Sequence, residues 1–412
     1  MVWLSSTARR LALRRAALQG LQLGLAGAER LDRKGSERDD LRQVRLALAG
    51  VLSAVAVSVG ASLDDEATRA ECRWIDISPP SLGEGGFIAD VRFRAPDSAW
   101  AVGGDGVFPA RGQALLLRWN GSSWRRFRGT APGGQLQAIA GTSEDDVWAV
   151  GWSDVGTTLA MRWGGRRLRV TPTPNDPRSR NERLVDVVAL SRDNAWAVGH
   201  TYDADTEKTT PIALHWNGRR WRSVARPVRL GQLSAIDAAE SRAVVAVGSV
   251  LVAPFRSRAL LVRRIGGEWV RASLPRGRFA FSSLHGIAAA PDRAWAIGQT
   301  YVLRGNGTST AANYVVRWDG SRWLRAAIPT KFRTARFDLI TEGAGNAVWV
   351  ASDATLVRWD GRRWTEQPLP HTGEPDARII AISRGPQGLP AIVASYTASG
   401  HEKTVIGRIT GC

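Results

Sequence analysis

The chain has 412 residues and a formal net charge of +18, from 56 Lys and Arg against 38 Asp and Glu. Its hydrophobic fraction of 44% and charged fraction of 23% are those of a globular protein, which excludes wholesale disorder. Two cysteines and five histidines exclude a Cys-rich zinc scaffold, an iron–sulfur protein and a disulfide-dense miniprotein. They also leave little material for a multi-His metal centre, so we expect no metal and no other cofactor.

The N-terminal segment differs from the rest of the chain. Residues 1–45 form a basic leader, residues 46–63 run for 18 residues without a charge, and residues 64–71 form an acidic linker. Val59-Gly60-Ala61 resembles an A-x-A-type cleavage site, so the apolar run predicts an export signal peptide. The leader is too long for an ordinary signal, and a true start near Val44 would remove this conflict. A retained membrane anchor is the alternative, because 18 apolar residues lie at the short edge of a bilayer span.

A repeat occupies residues 72–412. A short apolar strand, Trp-Ala-Val-Gly or a variant of it, recurs at spacings of 48, 48, 49, 50, 54 and 43 residues. The copies begin at Trp100, Trp148, Trp196, Val245, Trp295, Trp349 and Ile392. A second element, typified by Trp-Asp-Gly-x-x-Trp, follows six of the copies. Its Asn-Gly or Asp-Gly pair predicts a hairpin, because both turn residues tolerate positive φ.

The first repeat unit predicts four short strands, at residues 88–94, 99–103, 114–119 and 123–128. A four-stranded unit repeated about every 49 residues is typical of a β-propeller blade. The predicted fold class is therefore all-β: a seven-bladed β-propeller of four-stranded antiparallel blades over residues 72–412, preceded by a signal or anchor segment. Most tryptophans fall at fixed positions of the repeat, which predicts core and inter-blade packing for them.

The turn Trp318-Asp319-Gly-Ser-Arg-Trp323 resembles a shortened Asp-box, the turn between outer strands of sialidase-like propellers. Together with Trp-Ala-Val-Gly it also resembles exported bacterial propellers and photosystem assembly-factor-like propellers. The Trp-Asp pairs at 318–319 and 359–360 resemble the Trp-Asp repeat family without its Gly-His element, and Gly103-Gly104 resembles a kelch doublet. The resemblance implies the fold and no particular activity, because propellers host many functions.

We predict that the ligand face is the one that carries the loops between the second and third strands of each blade. They emerge on the same face of a propeller as the connections between blades, and their sequences vary while the repeat frame stays constant. We predict a ligand site built from Trp152, His200, Tyr202, Tyr301, Arg304, Tyr396 and His401. The alternative is that these residues are solvated loop tips.

The charge of the repeat region indicates the kind of partner. Residues 72–412 carry +16 of the net charge, and a body this basic favours anionic partners at long range. We predict a secreted or extracytoplasmic binding or scaffold protein at the cell envelope, with an envelope glycan, an anionic polymer or a protein as its partner. If residues 46–63 are retained, the propeller is membrane-anchored and lies outside. We expect no nucleic-acid partner, because no nucleic-acid-binding module is visible.

Enzyme motifs are lacking in the sequence. It has no Gly-rich phosphate loop, no His-Glu-x-x-His and no Gly-x-Ser-x-Gly, so we predict no catalytic residues. The competing hypothesis is a carbohydrate-active hydrolase or lyase with its site at the propeller axis. Asp and Glu side chains gathered around the axis would favour that hypothesis, whereas a mouth lined by Arg and aromatic residues would favour binding.

The two ends of the repeat predict how the ring closes. Residues 73–79 have the form of a fourth, outer strand, yet they come first, while residues 405–409 have the form of a third strand with no fourth after it. The N-terminal strand should therefore complete the seventh blade, since an unclosed ring would leave strand edges exposed. Cys72 and Cys412 then flank the missing hairpin turn, which predicts a Cys72–Cys412 disulfide in an exported chain.

Overall fold

The computed structural model describes residues 72–410, apart from 80–81, 84, 107–111, 128–132, 178, 180, 240–242, 254–255, 278, 304–308, 368, 370–375 and 399–400. The segments at 1–45, 46–63 and 64–71 lie outside the described residues, as does Cys412. Within the part of the chain that is described, no helix has the length and apolar character of a membrane span.

The described residues contain 28 strands in seven four-stranded antiparallel sheets, which confirms the predicted fold class. The first strand of the chain, β1 (Arg73–Asp76), belongs to the last blade. The first blade contains β2 (Phe87–Ala95), β3 (Ser98–Asp105), β4 (Gln113–Trp119) and β5 (Trp124–Arg126). The second contains β6 (Gly134–Ser143), β7 (Asp146–Ser153), β8 (Thr158–Trp163) and β9 (Leu168–Val170). The third contains β10 (Glu182–Ser191), β11 (Asn194–Asp203), β12 (Lys208–Trp216) and β13 (Trp221–Ser223).

The remaining blades repeat this order from inner to outer strand. The fourth contains β14 (Gly231–Ala239), β15 (Ala243–Ala253), β16 (Arg256–Ile265) and β17 (Glu268–Arg271). The fifth contains β18 (Phe281–Ala289), β19 (Ala294–Leu303), β20 (Ser309–Trp318) and β21 (Trp323–Arg325). The sixth contains β22 (Leu339–Glu342), β23 (Val348–Ser352), β24 (Thr355–Trp359) and β25 (Trp364–Gln367). The seventh contains β26 (Arg378–Arg384), β27 (Pro390–Ala398) and β28 (His401–Thr410), and two short 3-10 turns lie at Thr330–Phe332 and Pro386–Gly388.

Tryptophans of the repeated strand pack between neighbouring blades. Trp100, Trp148 and Trp349 are less than 2% exposed. The ring of Trp148 lies 4.9 Å, between centroids, from the rings of both Trp216 and Trp221 in the next blade. Large aromatic side chains at a fixed repeat position thus bury apolar area at each blade interface, as predicted for them.

In the sixth blade, the turn between the third and fourth strands is held by hydrogen bonds to the side chain of its aspartate. Asp360 Oδ1 accepts hydrogen bonds from the backbone N–H groups of Arg362 and Arg363, both at 2.8 Å, and these bonds lower the pKa of Asp360. Only the glycine of the pair has positive φ, +100° at Gly361. The predicted hairpin is confirmed, but the expectation of two turn residues at positive φ is wrong, because the acidic residue caps the turn as an acceptor.

The inner strands of the first five blades each carry a β-bulge beside the glycine of Trp-Ala-Val-Gly. In β18 the register breaks between Leu284, which lies opposite Gly298, and Gly286, so that His285 is the bulged residue. A Cβ on Gly298 would overlap the carbonyl oxygen of Ser283. The repeated glycine therefore permits a close approach of the two strands, and the bulge redirects the side chain that follows.

The N-terminal strand closes the ring, as predicted. β1 pairs antiparallel with β28, with Arg73 opposite Thr410 and Asp76 opposite Gly407. The seventh sheet thus has the order β26, β27, β28, β1, and its outer strand comes from the other end of the chain. The edge of β28 is covered rather than exposed.

Candidate ligand site at the channel mouth

The inner strands surround a central channel with a cavity volume of about 480 Å3, within the range of small-molecule sites. Five carboxyl groups line it, those of Asp90, Asp186, Asp237, Asp338 and Glu342. The basic side chains in its lining are Arg92, Arg384 and His285. Carboxyl groups therefore outnumber basic groups in the channel wall, although the propeller as a whole is basic.

Three of these carboxylates join neighbouring blades. Asp186 Oδ1 accepts a hydrogen bond from the N–H of Val187 at 2.8 Å, and its Oδ2 accepts one from the N–H of Ile236 in the next blade at 2.7 Å. Asp90 and Asp237 bridge to the next blade in the same way. The three aspartates therefore hold inner strands together at the channel wall, a role that the sequence analysis missed.

Burial in the channel wall changes the acidity of these groups. It raises the pKa of Asp90 to about 6 and that of Asp186 to about 8, in spite of the N–H donors that favour the charged form. Burial also raises the pKa of Asp237, and burial together with the neighbouring Asp237 raises the pKa of Glu342 to about 7. The folded state thus binds protons at neutral pH that the unfolded chain would release.

We expect the melting temperature to fall as pH rises from 6.5 to 8.5. A carboxyl group whose pKa is raised by folding stabilises the fold while it is protonated, and this stability is lost as pH rises through the folded pKa, about 8 for Asp186. The lowered pKa of His200 changes stability only at pH values below this range of 6.5 to 8.5. In Asp186→Asn the fall should be smaller than in the wild type, as thermal melts at three pH values will measure. The exposed Asp292→Asn is the control, and equal pH slopes for wild type and Asp186→Asn would contradict the expectation.

A hydrogen-bonded set, here called the mouth network, lies where the inner strands of the fifth and sixth blades begin. Ser283 Oγ lies 2.7 Å from His285 Nε2, and His285 Nδ1 lies 2.6 Å from Asp338 Oδ1. Gln299 Nε2 donates to the same carboxylate oxygen at 3.1 Å. The hydroxyl of Tyr301 donates to Gln299 Oε1 at 2.7 Å. Five side chains from two strands and one loop are thereby held in a single arrangement.

The repeat explains why these residues meet. Ser283 and His285 are two positions apart at the start of β18, and the bulge lies at His285. Asp338 directly precedes β22 and follows His285 by 53 residues, about one repeat. Gln299 and Tyr301 alternate on β19 and therefore face the same side of the sheet. The network thus lies at the end of the channel towards the loops between second and third strands.

The predicted site residues fall into separate groups. Tyr301 belongs to the mouth network, whereas Trp152 and His200 lie on the second and third blades. The guanidinium of Arg183 lies 4.8 Å from the ring centroid of Trp152, and Arg183 is opposite His200 in the β10–β11 register. Burial, and then the charge of Arg183, lower the pKa of His200. The structure therefore brings Trp152 and His200 together through Arg183.

The other predicted residues are more dispersed. Tyr202 is 39% exposed near the tip of β11, and Tyr396 is half-buried and opposite Lys403 in the β27–β28 register. Arg304 lies outside the described residues, and so does the side chain of His401, the first residue of β28. Among the described side chains, no group of three or more His, Cys, Asp or Glu is placed to hold a metal ion.

Comparisons with known proteins place the chain in the seven-bladed β-propeller class and no further. By sequence it matches no family model, and no curated protein is significantly similar to it. Among solved structures, YCF48 bound to a D1 peptide has 15% identity and a TM-score of 0.52, over 82% of this chain and 97% of that one. Virginiamycin B lyase from Staphylococcus aureus has 14% identity and a TM-score of 0.52, over 82% and 99%. The propeller domain of the Trilobed protease from Pyrococcus furiosus has 8% identity and a TM-score of 0.51, over 79% and 94%.

Proposed function

We propose that the chain is an exported β-propeller that binds a partner at the cell envelope through the mouth network and the loops around it. The observation that carries this proposal is the mouth network itself, which presents fixed donors and acceptors at the entrance of a cavity of about 480 Å3. A few convergent polar groups at a preformed concave site are typical of ligand recognition.

The charge of the channel narrows the choice of partner. The channel wall has five carboxyl groups, of which Asp186 and part of Glu342 are protonated near pH 7, against two arginines and a histidine, so it lacks the excess positive charge that would attract an anionic polymer. Such a polymer would contact the arginines of the outer surface instead. An uncharged glycan or a peptide segment suits the mouth network better, and the structure of YCF48 with a D1 peptide supports a peptide in a propeller of similar fold.

Glycoside hydrolysis is supported less well than binding. It uses two carboxyl groups as acid and base or as nucleophile and acid. Carboxyl groups do surround the axis, but Asp90, Asp186 and Asp237 are each occupied by two backbone N–H groups. The other two are engaged by side chains, Asp338 by His285 and Gln299 and Glu342 by Arg384 at 3.5 Å. These contacts support structural roles for the axial carboxyl groups better than a glycosidase site.

An array of envelope glycans, anionic polymers and peptides, probed with the purified full chain, tests the proposal. Gln299 is only 2% exposed and holds the carboxylate of Asp338, so Gln299→Ala should release that carboxylate and weaken binding of the selected ligand about tenfold, the cost of roughly one or two hydrogen bonds. Thr365→Ala, on the exposed face of β25, is the matched control and should bind as the wild type does. Equal affinities of Gln299→Ala and the control would refute a ligand site at the mouth network.

The disulfide is a second prediction that bears on export. Pairing of Arg73 with Thr410 brings Cys72 to the end of β28, in the direction of the C-terminus. We expect non-reducing peptide mapping of the exported protein to find one Cys72–Cys412 crosslink. The chain-entropy model assigns about 6 kcal/mol to a loop of this length as an upper bound, so reduction should lower the melting temperature. Two free thiols in the exported protein would contradict the pairing.

A further inference from the structure

We propose that Ser283, His285 and Asp338 act as nucleophile, general base and orienting carboxylate in acyl transfer from an ester or amide to water. The inference goes beyond the proposed binding function and does not depend on it. Ser283 and His285 would be the catalytic residues, because they would touch the reacting carbonyl group. Asp338, with Gln299 and Tyr301 behind it, would be a positioning residue.

The direction of each hydrogen bond follows from the chemistry of the groups. A carboxylate only accepts hydrogen bonds, so the contact between His285 Nδ1 and Asp338 Oδ1 at 2.6 Å requires a proton on Nδ1. In the neutral ring Nε2 then has a free lone pair, and it accepts from the hydroxyl of Ser283 at 2.7 Å. The tautomer that a general base needs is therefore the one that the surroundings favour.

Gln299 and Tyr301 fix the orientation of the Asp338 carboxylate. The Tyr301 hydroxyl donates to Gln299 Oε1, which leaves Gln299 Nε2 to donate to Asp338 Oδ1. The hydrogen bonds from both sides thus lead to the Asp338 carboxylate: from Tyr301 through Gln299, and from the Ser283 hydroxyl through the imidazole of His285. Nucleophile, base and orienting group within hydrogen-bond reach define such a site on unrelated folds, by geometry rather than by sequence order.

The site is open to a substrate. The side chain of His285 is 27% exposed and that of Asp338 is 39% exposed, and both line the channel. Ser283 and His285 are held on one inner strand of a closed ring, so their relative position depends little on loop movement. Water from the channel can reach the acyl group in the second step.

The reaction balances with water as the only co-substrate. As Ser283 Oγ bonds to the acyl carbon, its proton passes to His285 Nε2, and Asp338 stabilises the imidazolium. The leaving alcohol or amine departs with that proton as the carbon–oxygen or carbon–nitrogen bond breaks. Water then gives a proton to His285 Nε2 and bonds to the acyl carbon, and Ser283 Oγ leaves and recovers the proton. The products are a carboxylic acid and an alcohol or amine.

The channel restricts the substrate class. Below the mouth network the wall carries Asp90, Asp186, Asp237 and Glu342, and the arginines in the lining are Arg92 and Arg384. Burial keeps part of these carboxyl groups protonated near pH 7, and the two arginines offset much of the remaining negative charge, so an acyl or leaving group that extends into the channel should be uncharged. Short neutral esters should react faster than esters with a charged acyl chain, because a charged group loses hydration when it enters the channel.

The test uses the full chain and a fluorophosphonate probe, which phosphonylates a base-activated serine with loss of fluoride. We expect one covalent adduct, located on Ser283 by peptide mass spectrometry, and hydrolysis of p-nitrophenyl acetate by the same protein. Both should be lost in Ser283→Ala. Ser282→Ala is the matched control, since Ser282 is the adjacent buried serine, and it should label at the wild-type rate.

The positioning role of Asp338 is tested by the labelling rate of folded variants and by partial rescue with a conservative substitution. Asp338→Asn should slow labelling by about 10²–10⁴-fold, because the asparagine favours the wrong tautomer of His285, while its circular dichroism stays unchanged. Asp338→Glu should recover part of the rate. His285→Ala should abolish labelling, because it removes the base that accepts the Ser283 proton. Absence of any adduct between pH 6 and 9, an adduct on another serine, or wild-type labelling in Asp338→Asn would each overturn the proposal.

Discussion

Truncation of Trp148 to alanine should lower the free energy of unfolding by about 3–5 kcal/mol, the usual cost of removing a large buried aromatic side chain. Trp148 is completely buried and packs against Trp216 and Trp221 across a blade interface. The guanidinium of Arg162 also lies 5.0 Å from its ring centroid. Urea unfolding followed by fluorescence and circular dichroism measures the loss.

Trp152→Ala is the matched comparison, since Trp152 lies four positions further on the same strand. It is half-buried beneath Arg183, and loss of this cation–π contact should cost only about 0.5–1 kcal/mol. If Trp152 contributes to the loop-face ligand site, binding should be lost with little change in stability. Equal destabilisation by both substitutions would assign Trp152 to the core instead.

Gly407→Val should detach the closing strand. Gly407 lies opposite Asp76 in the β1–β28 ladder, and a Cβ at this position would overlap the ring of Trp74. Overpacking alone costs about 1–3 kcal/mol, and displacement of β1 would add the loss of its ladder and of the Trp74 contacts. We expect a clear fall in the urea midpoint and new protease cleavage near residue 78.

The control for this substitution is Gly164→Ala. Gly164 lies in an exposed turn where an added Cβ meets nothing within 4 Å, so its stability should change by less than about 0.5 kcal/mol. A Gly407→Val protein with the wild-type midpoint and wild-type protease resistance would show that β1 is not needed to hold the seventh blade.

The fold could be predicted from the sequence because the repeat marks every blade. Trp-Ala-Val-Gly and the Asp-Gly turn recur at nearly constant spacing, so seven weak local signals point to one architecture. The role of Asp360 was harder to predict, because the same residue type suits a positive φ or a side-chain cap. Only the backbone geometry distinguishes the two.

The mouth network could not be predicted in the same way. Variation among the loops points to Tyr301, but Ser283 and His285 lie on an inner strand that otherwise follows the repeat. Asp338 comes from the next blade, and its distance from His285 depends on how neighbouring blades are placed around the ring. The signal that was present is a Ser-x-His pair at a bulge, followed one repeat later by an aspartate before the equivalent strand.

The order in which the ring is made has a consequence for the growing chain. The residues that pair at the closure, Arg73 and Thr410, are 337 positions apart, and translation at about 5–20 residues per second separates their synthesis by tens of seconds. During that time β1 has no ladder partner, and its apolar pair Trp74-Ile75 is open to any other strand edge. Arg73 and Asp76 flank this pair, and charged residues in such positions discourage wrong pairing. The strand that completes the propeller is therefore among the first parts of the propeller to be made and the last to be placed.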